Sequence, residues 1–334
     1  MSAPQNLLRF RKMLCGIAES LAQSPFVDPL EALAEMGSDP EAVAHEHHRL
    51  HWRAFAELRK RIDALRFDAI LLIGDDQAQA FLPNNMPPYS IYVGAEVEAA
   101  PFHGTHLPGD AEYVQKTWGV APSHRYRWRC HAPAAVAIRD GLLQRGFDIA
   151  STNDLDSAHW KHGLPHAHAN TQLFLRNDDG RYPLIPLFVN CYGPELAIFD
   201  PAARKDPARV AAYPVAPRSR RLYEMGAAIR EIVEASPYRV LVCPSSTWSH
   251  TWLTKRHRHM RMDVEGNEQI LRWLEAGEGQ RLRDYDSPEL EANGDHELRN
   301  WIVAAGAMGA RRLEVTWHVA SWVSTGFRVF GVWQ

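Results

Sequence analysis

The chain of 334 residues is 46% hydrophobic and 23% charged, the composition of a globular protein able to bury a full core. Its formal net charge of -3 gives no electrostatic case for nucleic acid or an anionic membrane, and no apolar run reaches the length of a membrane span. The opening MSAPQNLLRFRKML has no leader-like apolar core, and Cys15, Cys130, Cys191 and Cys243 form no CxxC pair, so the expectation is a cytoplasmic protein with reduced, mostly buried thiols. The 11 tryptophans and 17 histidines are high counts, and the histidines invite a search for metal or proton-transfer chemistry.

Residues 26–66 read as helical, because Leu50, Ala54, Leu58, Ile62 and Leu65 recur near helical spacing and Asp39-Pro40 supplies a start signal. A strand over Ala69–Ile73 follows and ends in Gly74, Asp75, Asp76 and Gln77; SIYVG at 90–94 is a second short strand. Residues 95–130, rich in Gly, Pro, His and acids, read as irregular. HAPAAVAIRDGLLQRG is a helix ended by Gly146, and FDIAS a strand. PLIPLFVN is an apolar strand ending in Asn190, and residues 217–236 form a helix with Leu222, Met225, Ile229 and Ile232 on one face. RVLVCPSS is a buried strand with a polar end, DHELRNWIVAAGA a helix ending near Gly306, and LEVTWHVA and FRVFGVW closing strands. This alternation predicts an α/β fold, a single domain over residues 1–334 with a central mixed sheet flanked by helices. Ligands in such sheets sit at strand ends, which directs attention to GDDQ at 74–77 and PSSTWSH at 244–250.

His250, just past its strand, is a candidate general base, with a hydrogen-bonded loop histidine as the plainer reading. His166 and His168 alternate in GLPHAHAN, so in an extended segment they point the same way and could bind metal or polarise an oxygen; a solvent loop is the alternative. His47 and His51 lie four apart on one helical face, but HExxH is absent and a solvated or partly packed face is favoured. KRHRHM at 255–260 reads as a basic, solvent-facing turn, and Glu297 at a helix start is explained by the helix dipole. No P-loop, GxGxxG, GxSxG or zinc-finger spacing is present.

Six segments taken in order resemble the class III extradiol dioxygenases, closest to the gallate and methylgallate type within the protocatechuate 4,5-dioxygenase catalytic-subunit superfamily. They are FDAILLIGDDQAQAFLPNNMPPYSIYVG, RGFDIASTNDL with GLPHAHAN, YPLIPLFVNCYGP, VLVCPSSTWSH, GDHELRNWIVAAGAM and TGFRVFGVW, running from about residue 66 to the C-terminus. The resemblance implies a non-haem Fe(II) held by two histidines and a glutamate, a catechol-like substrate, dioxygen, and ring opening beside the diol. By position Glu297 matches the carboxylate ligand, His250 the acid/base histidine and His166 a second histidine facing substrate or oxygen. Gln77 and Gln23 stand where the family's iron histidines fall, Gln23 within GIAESLAQSP where relatives carry a TSHSP-like stretch. Asp76, His168, Asn190 and Trp248 are the expected substrate-facing residues, Trp248 replacing part of a glycine-rich stretch and narrowing the pocket. Two other readings stay open: a metal-free, non-catalytic subunit of a heteromeric dioxygenase, and an acid/base enzyme such as a hydrolase or lyase reusing His250 and His166. A homodimer is the default expectation.

Overall fold

Strand β1 (Ala69–Asp75) is buried at every residue, and its side chains alternate between two apolar cores. Leu71 and Ile73 pack to one face and Ile70 and Leu72 to the other. A strand covered on both faces reads as a continuous apolar run, which is what AILLI is. The computed structural model describes residues 4–22, 25, 27–103, 111–157, 159–199, 206–285, 287–323 and 326–334.

β1 lies inside a five-stranded mixed sheet with β2 (Tyr89–Tyr92), β5 (Ala150–Thr152), β6 (Leu184–Val189) and β7 (Val240–Pro244), in the order β5-β2-β6-β1-β7. β6 and β7 both run parallel to β1, whereas β2 pairs antiparallel with β6. Helices α5 (Ala132–Gln144), α8 (Ser219–Glu234) and α11 (Leu298–Met308) supply one core, and α3 (Pro40–Asp63) and α6 (His166–Phe174) the other. The α/β expectation with helices on both faces of a mixed sheet therefore holds.

Local signals place several elements. Asp39 caps α3 by accepting from the Ala42 amide at 3.0 Å, with Pro40 in the first turn. His131 caps α5 by accepting from the Ala134 amide at 3.1 Å, and Gly146 beyond that helix takes a left-handed φ of 79°. Helix α11 runs past Gly306, because this glycine is a helix-crossing residue and not a stop. A Cβ there would lie 2.0 Å from the Tyr223 carbonyl oxygen, and one at Gly226 would lie 2.0 Å from that of Val303. Paired glycines thus let α8 and α11 approach backbone to backbone.

Three expectations are corrected, and the two expected closing strands are present. Residues 95–130 are not wholly irregular: they hold β3 (Glu96–Ala99) and β4 (Tyr126–Arg129), paired antiparallel, and helix α4 (Ala111–Trp118). Strand β7 is only half-buried because it is the last strand of the sheet. The closing strands β8 (Leu313–Ser321) and β9 (Gly326–Trp333) pair with each other as a separate hairpin. GLPHAHAN is not extended, since Pro165 starts helix α6, and residues two apart on a helix point about 200° apart. His168 therefore turns inward while His166 faces outward. A further helix, α1 (Pro4–Ala22), occupies an N-terminal stretch for which no element was expected.

His168 is fully buried, with Nε2 3.1 Å from the Leu187 carbonyl oxygen and its ring 4.5 Å from that of Phe188. It lies flat against Gly74, where a Cβ would come within 2.7 Å of the ring. The glycine that ends the AILLI run is thus required by a core histidine.

Two stability measurements follow. Gly226→Ala and Gly306→Ala should each lower the free energy of urea unfolding by about 1–3 kcal/mol through overpacking, whereas Gly16→Ala in α1, with nothing within 4 Å, should be neutral or stabilising by up to about 1 kcal/mol. Burial lowers the His168 pKa from 6.5 to about 4. Between those values the unfolded chain binds the proton that the folded chain refuses, so stability is lost as pH drops from about 6.5 to about 4. His168→Gln should remove roughly 2–3 kcal/mol of that acid sensitivity, read as the difference in unfolding free energy between about pH 7 and pH 4.5.

Candidate functional site

Because β1, β6 and β7 are parallel, their C-terminal ends share one edge of the sheet. That edge brings together Asp75 at the end of β1 and Gln77 in the turn after it, Tyr192 beyond β6, Ser245 to Thr247 beyond β7, and Glu297 at the N-terminus of α11. The Glu297 side chain does not cap its own helix. It points across the sheet edge, so the helix dipole is an incomplete account of it.

The Glu297 carboxylate is enclosed by protein donors. Oε1 accepts from the Tyr192 hydroxyl at 2.5 Å and the Gln77 amide at 3.1 Å, and Oε2 accepts from the Thr247 backbone amide at 3.0 Å. The same Gln77 nitrogen lies 2.9 Å from the Tyr192 oxygen. Burial raises Glu297 to about 7, opposed by these three donors and by the charge of Arg328. Burial and Glu297 also raise Asp75 well above the carboxylate range, and Tyr192 is raised, so it stays protonated and donates. Arg328 on β9 is itself buried, which lowers it to about 10 against the raising influence of Glu297 and Glu35.

His250 lies beside this cluster, with Nε2 3.7 Å from Glu297 Oε1. Its Nδ1 is 3.1 Å from the Trp248 carbonyl oxygen, an arrangement that places the proton on Nδ1 and the lone pair on Nε2. Burial, then the charge of Arg328, lowers His250 to about 3, so the ring is neutral and a weak base. A buried network fixes its loop: the His250 amide donates to Gly294 O at 3.1 Å, the Ser249 amide to Asn267 Oδ1 at 3.1 Å, and Asn267 Nδ2 to Asp295 at 2.7 Å. The loop and the start of α11 are thereby held as one unit.

The other expected residues divide. His166 lines the same cavity, with Nδ1 2.6 Å from Gln79 Oε1. Asp76 does not face a ligand: its carboxylate accepts from the backbone amides of Gln79, Ala80 and Phe81 at 3.2, 2.9 and 3.1 Å and so shapes the turn after β1. That turn holds Ala78 at a positive φ of 56°. Asn190 is likewise structural, accepting from the Gly193 amide at 3.0 Å. Trp248 is fully buried, stacked on Phe327 at 5.7 Å and edge-on to Trp301 at 5.1 Å, so it fills the core and leaves the pocket alone. His168 is the core histidine described above, and Gln23 lies outside the described residues. Tyr192 and Arg328 were not anticipated. Both lie within quoted segments, YPLIPLFVNCYGP and TGFRVFGVW, but nothing in the local pattern aims either side chain at Glu297.

The described residues do not fit the iron site that the resemblance implies. No group of three or more His, Cys, Asp or Glu among them is placed to hold a metal ion. The one carboxylate at the expected position has both oxygens engaged by N–H and O–H donors, and the amide of Gln77 faces it. A facial triad needs two imidazoles and a carboxylate with free lone pairs directed at one point.

These residues open onto a cavity of about 1360 Å³ that includes Gln77, His166, His250 and Glu297 and is otherwise mostly apolar. Residues 207–329, which contain His250, Glu297 and Arg328, match the family model of the catalytic LigB subunit of aromatic ring-opening dioxygenase. The chain is also 27% identical over 142 residues to the 2,3-dihydroxyphenylpropionate/2,3-dihydroxicinnamic acid 1,2-dioxygenase 2 of Pseudomonas putida. That similarity covers 42% of this chain and 37% of the relative, little more than a third of the relative's length. Family model and relative both support the class III extradiol dioxygenase superfamily, the one that the ordered sequence motifs resemble.

Proposed function

We propose that this chain binds a small hydroxylated aromatic compound, of the class that ring-opening dioxygenases act on, at the cavity end formed by Gln77, His250 and Glu297, and that it does so without an iron triad. The enclosure of the Glu297 carboxylate by Tyr192, Gln77 and the Thr247 amide carries this reading. His250 supplies a neutral imidazole whose Nε2 lone pair can accept a phenolic O–H, and its low basicity suits holding that proton in a hydrogen bond rather than removing it. His166, held by Gln79, is a further polar group on the cavity wall. In this reading the chain is the non-ring-cleaving member of its superfamily, the companion of a chain that carries the metal.

A second reading, Fe(II)-dependent cleavage of a catechol by dioxygen, is favoured by the family match over 207–329, which includes both His250 and Glu297. One set of measurements separates the two. Protein soaked anaerobically in Fe(II) and desalted should retain well under one iron per chain. Catechol should bind saturably by calorimetry with no iron present, and His250→Ala should weaken it about tenfold, the loss of one hydrogen bond. About one iron per chain with oxygen uptake and a ring-opened product would replace the first reading with the second. Absence of catechol binding with and without iron would remove both.

A further inference from the structure

We propose that the aromatic ligand of this chain carries an apolar tail, and that the tail lies in the slot between strands β7 and β9. The inference rests on the aromatic-binding reading above and extends it to the class of ligand.

β7 is the last strand of the main sheet, and β9 pairs with β8 on one side only. The loop that follows β7 is bridged to β9 at the site end. The Trp248 amide donates to Phe327 O at 2.8 Å and the Phe327 amide to Ser249 O at 3.0 Å. Beyond this bridge no pairing joins β7 to β9 among the described residues. An apolar strand, VLVCP, consequently has its outer edge half-open, lining the cavity along its whole length.

The walls of this slot have the chemistry of a hydrocarbon site. Val240 and Val242 come from β7, Val329 and Trp333 from β9, and Ile229 and Met308 from the helices behind, with the charged residues Arg230, Glu234 and Arg311 also on the cavity lining. The slot is continuous with the polar end at Gln77, His250 and Glu297 in one cavity of about 1360 Å³. Ordinary small-molecule sites hold about 300–1000 Å³, so a single hydroxylated ring leaves most of this one unfilled. From Pro244 back to Val240, at about 3.3 Å per residue, the slot extends roughly 13 Å from the polar end. A ring seated against His250 thus directs a substituent along an apolar trough. The tail packs on the side chains of Val240 and Val242, and the unpaired backbone groups of the strand edge keep their access to water.

The test compares catechol with 4-hexylcatechol, by calorimetry or by quenching of the cavity tryptophans Trp252 and Trp301. In the wild-type protein the hexyl compound should bind about 100-fold more tightly, a conservative share of the gain for burying a six-carbon chain. In Val242→Trp, which fills the slot without adding charge, the ratio of the two Kd values should collapse to within about threefold. Val240→Glu, at a half-buried position of the same slot, should do the same if the first variant fails to fold. Equal affinities in the wild-type protein, with catechol still bound, would overturn the tail proposal and leave the aromatic-binding reading standing. A preference for the hexyl compound that survives both variants would also overturn it, because the tail would then lie elsewhere. Failure of both compounds to bind would overturn the underlying reading and this inference with it.

Discussion

A carboxylate withdrawn from water needs donors, a proton or a counter-charge, and around Glu297 the chain provides all three. Tyr192, Gln77 and the Thr247 amide donate, burial raises the group to about 7, and the buried guanidinium of Arg328 supplies positive charge nearby. These partners come from β1, the segments after β6 and β7, and β9, so the site exists only once the parallel strands and the closing hairpin are in place. The same dependence makes the sheet edge rigid. Asp75, Asn300, Cys191 and Ser245 sit in the polar layer beneath Glu297, and loss of one donor there leaves another buried group without a partner.

This enclosure separates fold from chemistry. The family match covers the half of the site that carries His250, Glu297 and Arg328, and Gln77, Tyr192 and His166 lie outside it. Within the matched half, His250 Nε2 and Glu297 Oε1 lie 3.7 Å apart. Outside it, amide and hydroxyl groups stand against the carboxylate where metal-binding imidazoles are expected. Likeness to a family over part of a chain therefore leaves the chemistry to be decided by the side chains that stand at the site.

The hairpin β8–β9 gives the molecule its second distinctive feature. By pairing with the 248–250 loop and not with β7, it leaves the sheet edge open and turns a compact polar site into one end of a long cavity. Arg328 and the wall residues Val329 and Trp333 lie on the same strand, so charge balance at the site and the shape of the slot are set by one element.

What the sequence by itself determined is the set of features with short-range causes. The alternation of strands and helices, the Asp39-Pro40 start of α3, the strand ending at the GDDQ turn, and the candidacy of His250 at a strand end depend on periodicity, caps and local order, whereas Gln77 and Glu297 were singled out by the resemblance of ordered motifs to a family. Only the tertiary structure decided which polar residues face the cavity. His168 turned inward because Pro165 starts a helix, Asp76 was consumed by three backbone amides, Asn190 by the Gly193 turn, and Trp248 by stacking on Phe327. Tyr192 and Arg328 entered the site for the converse reason. They lie 105 and 31 residues from Glu297 in the chain, and no local pattern encodes a donor whose acceptor is brought to it only by the closing of the sheet and the hairpin.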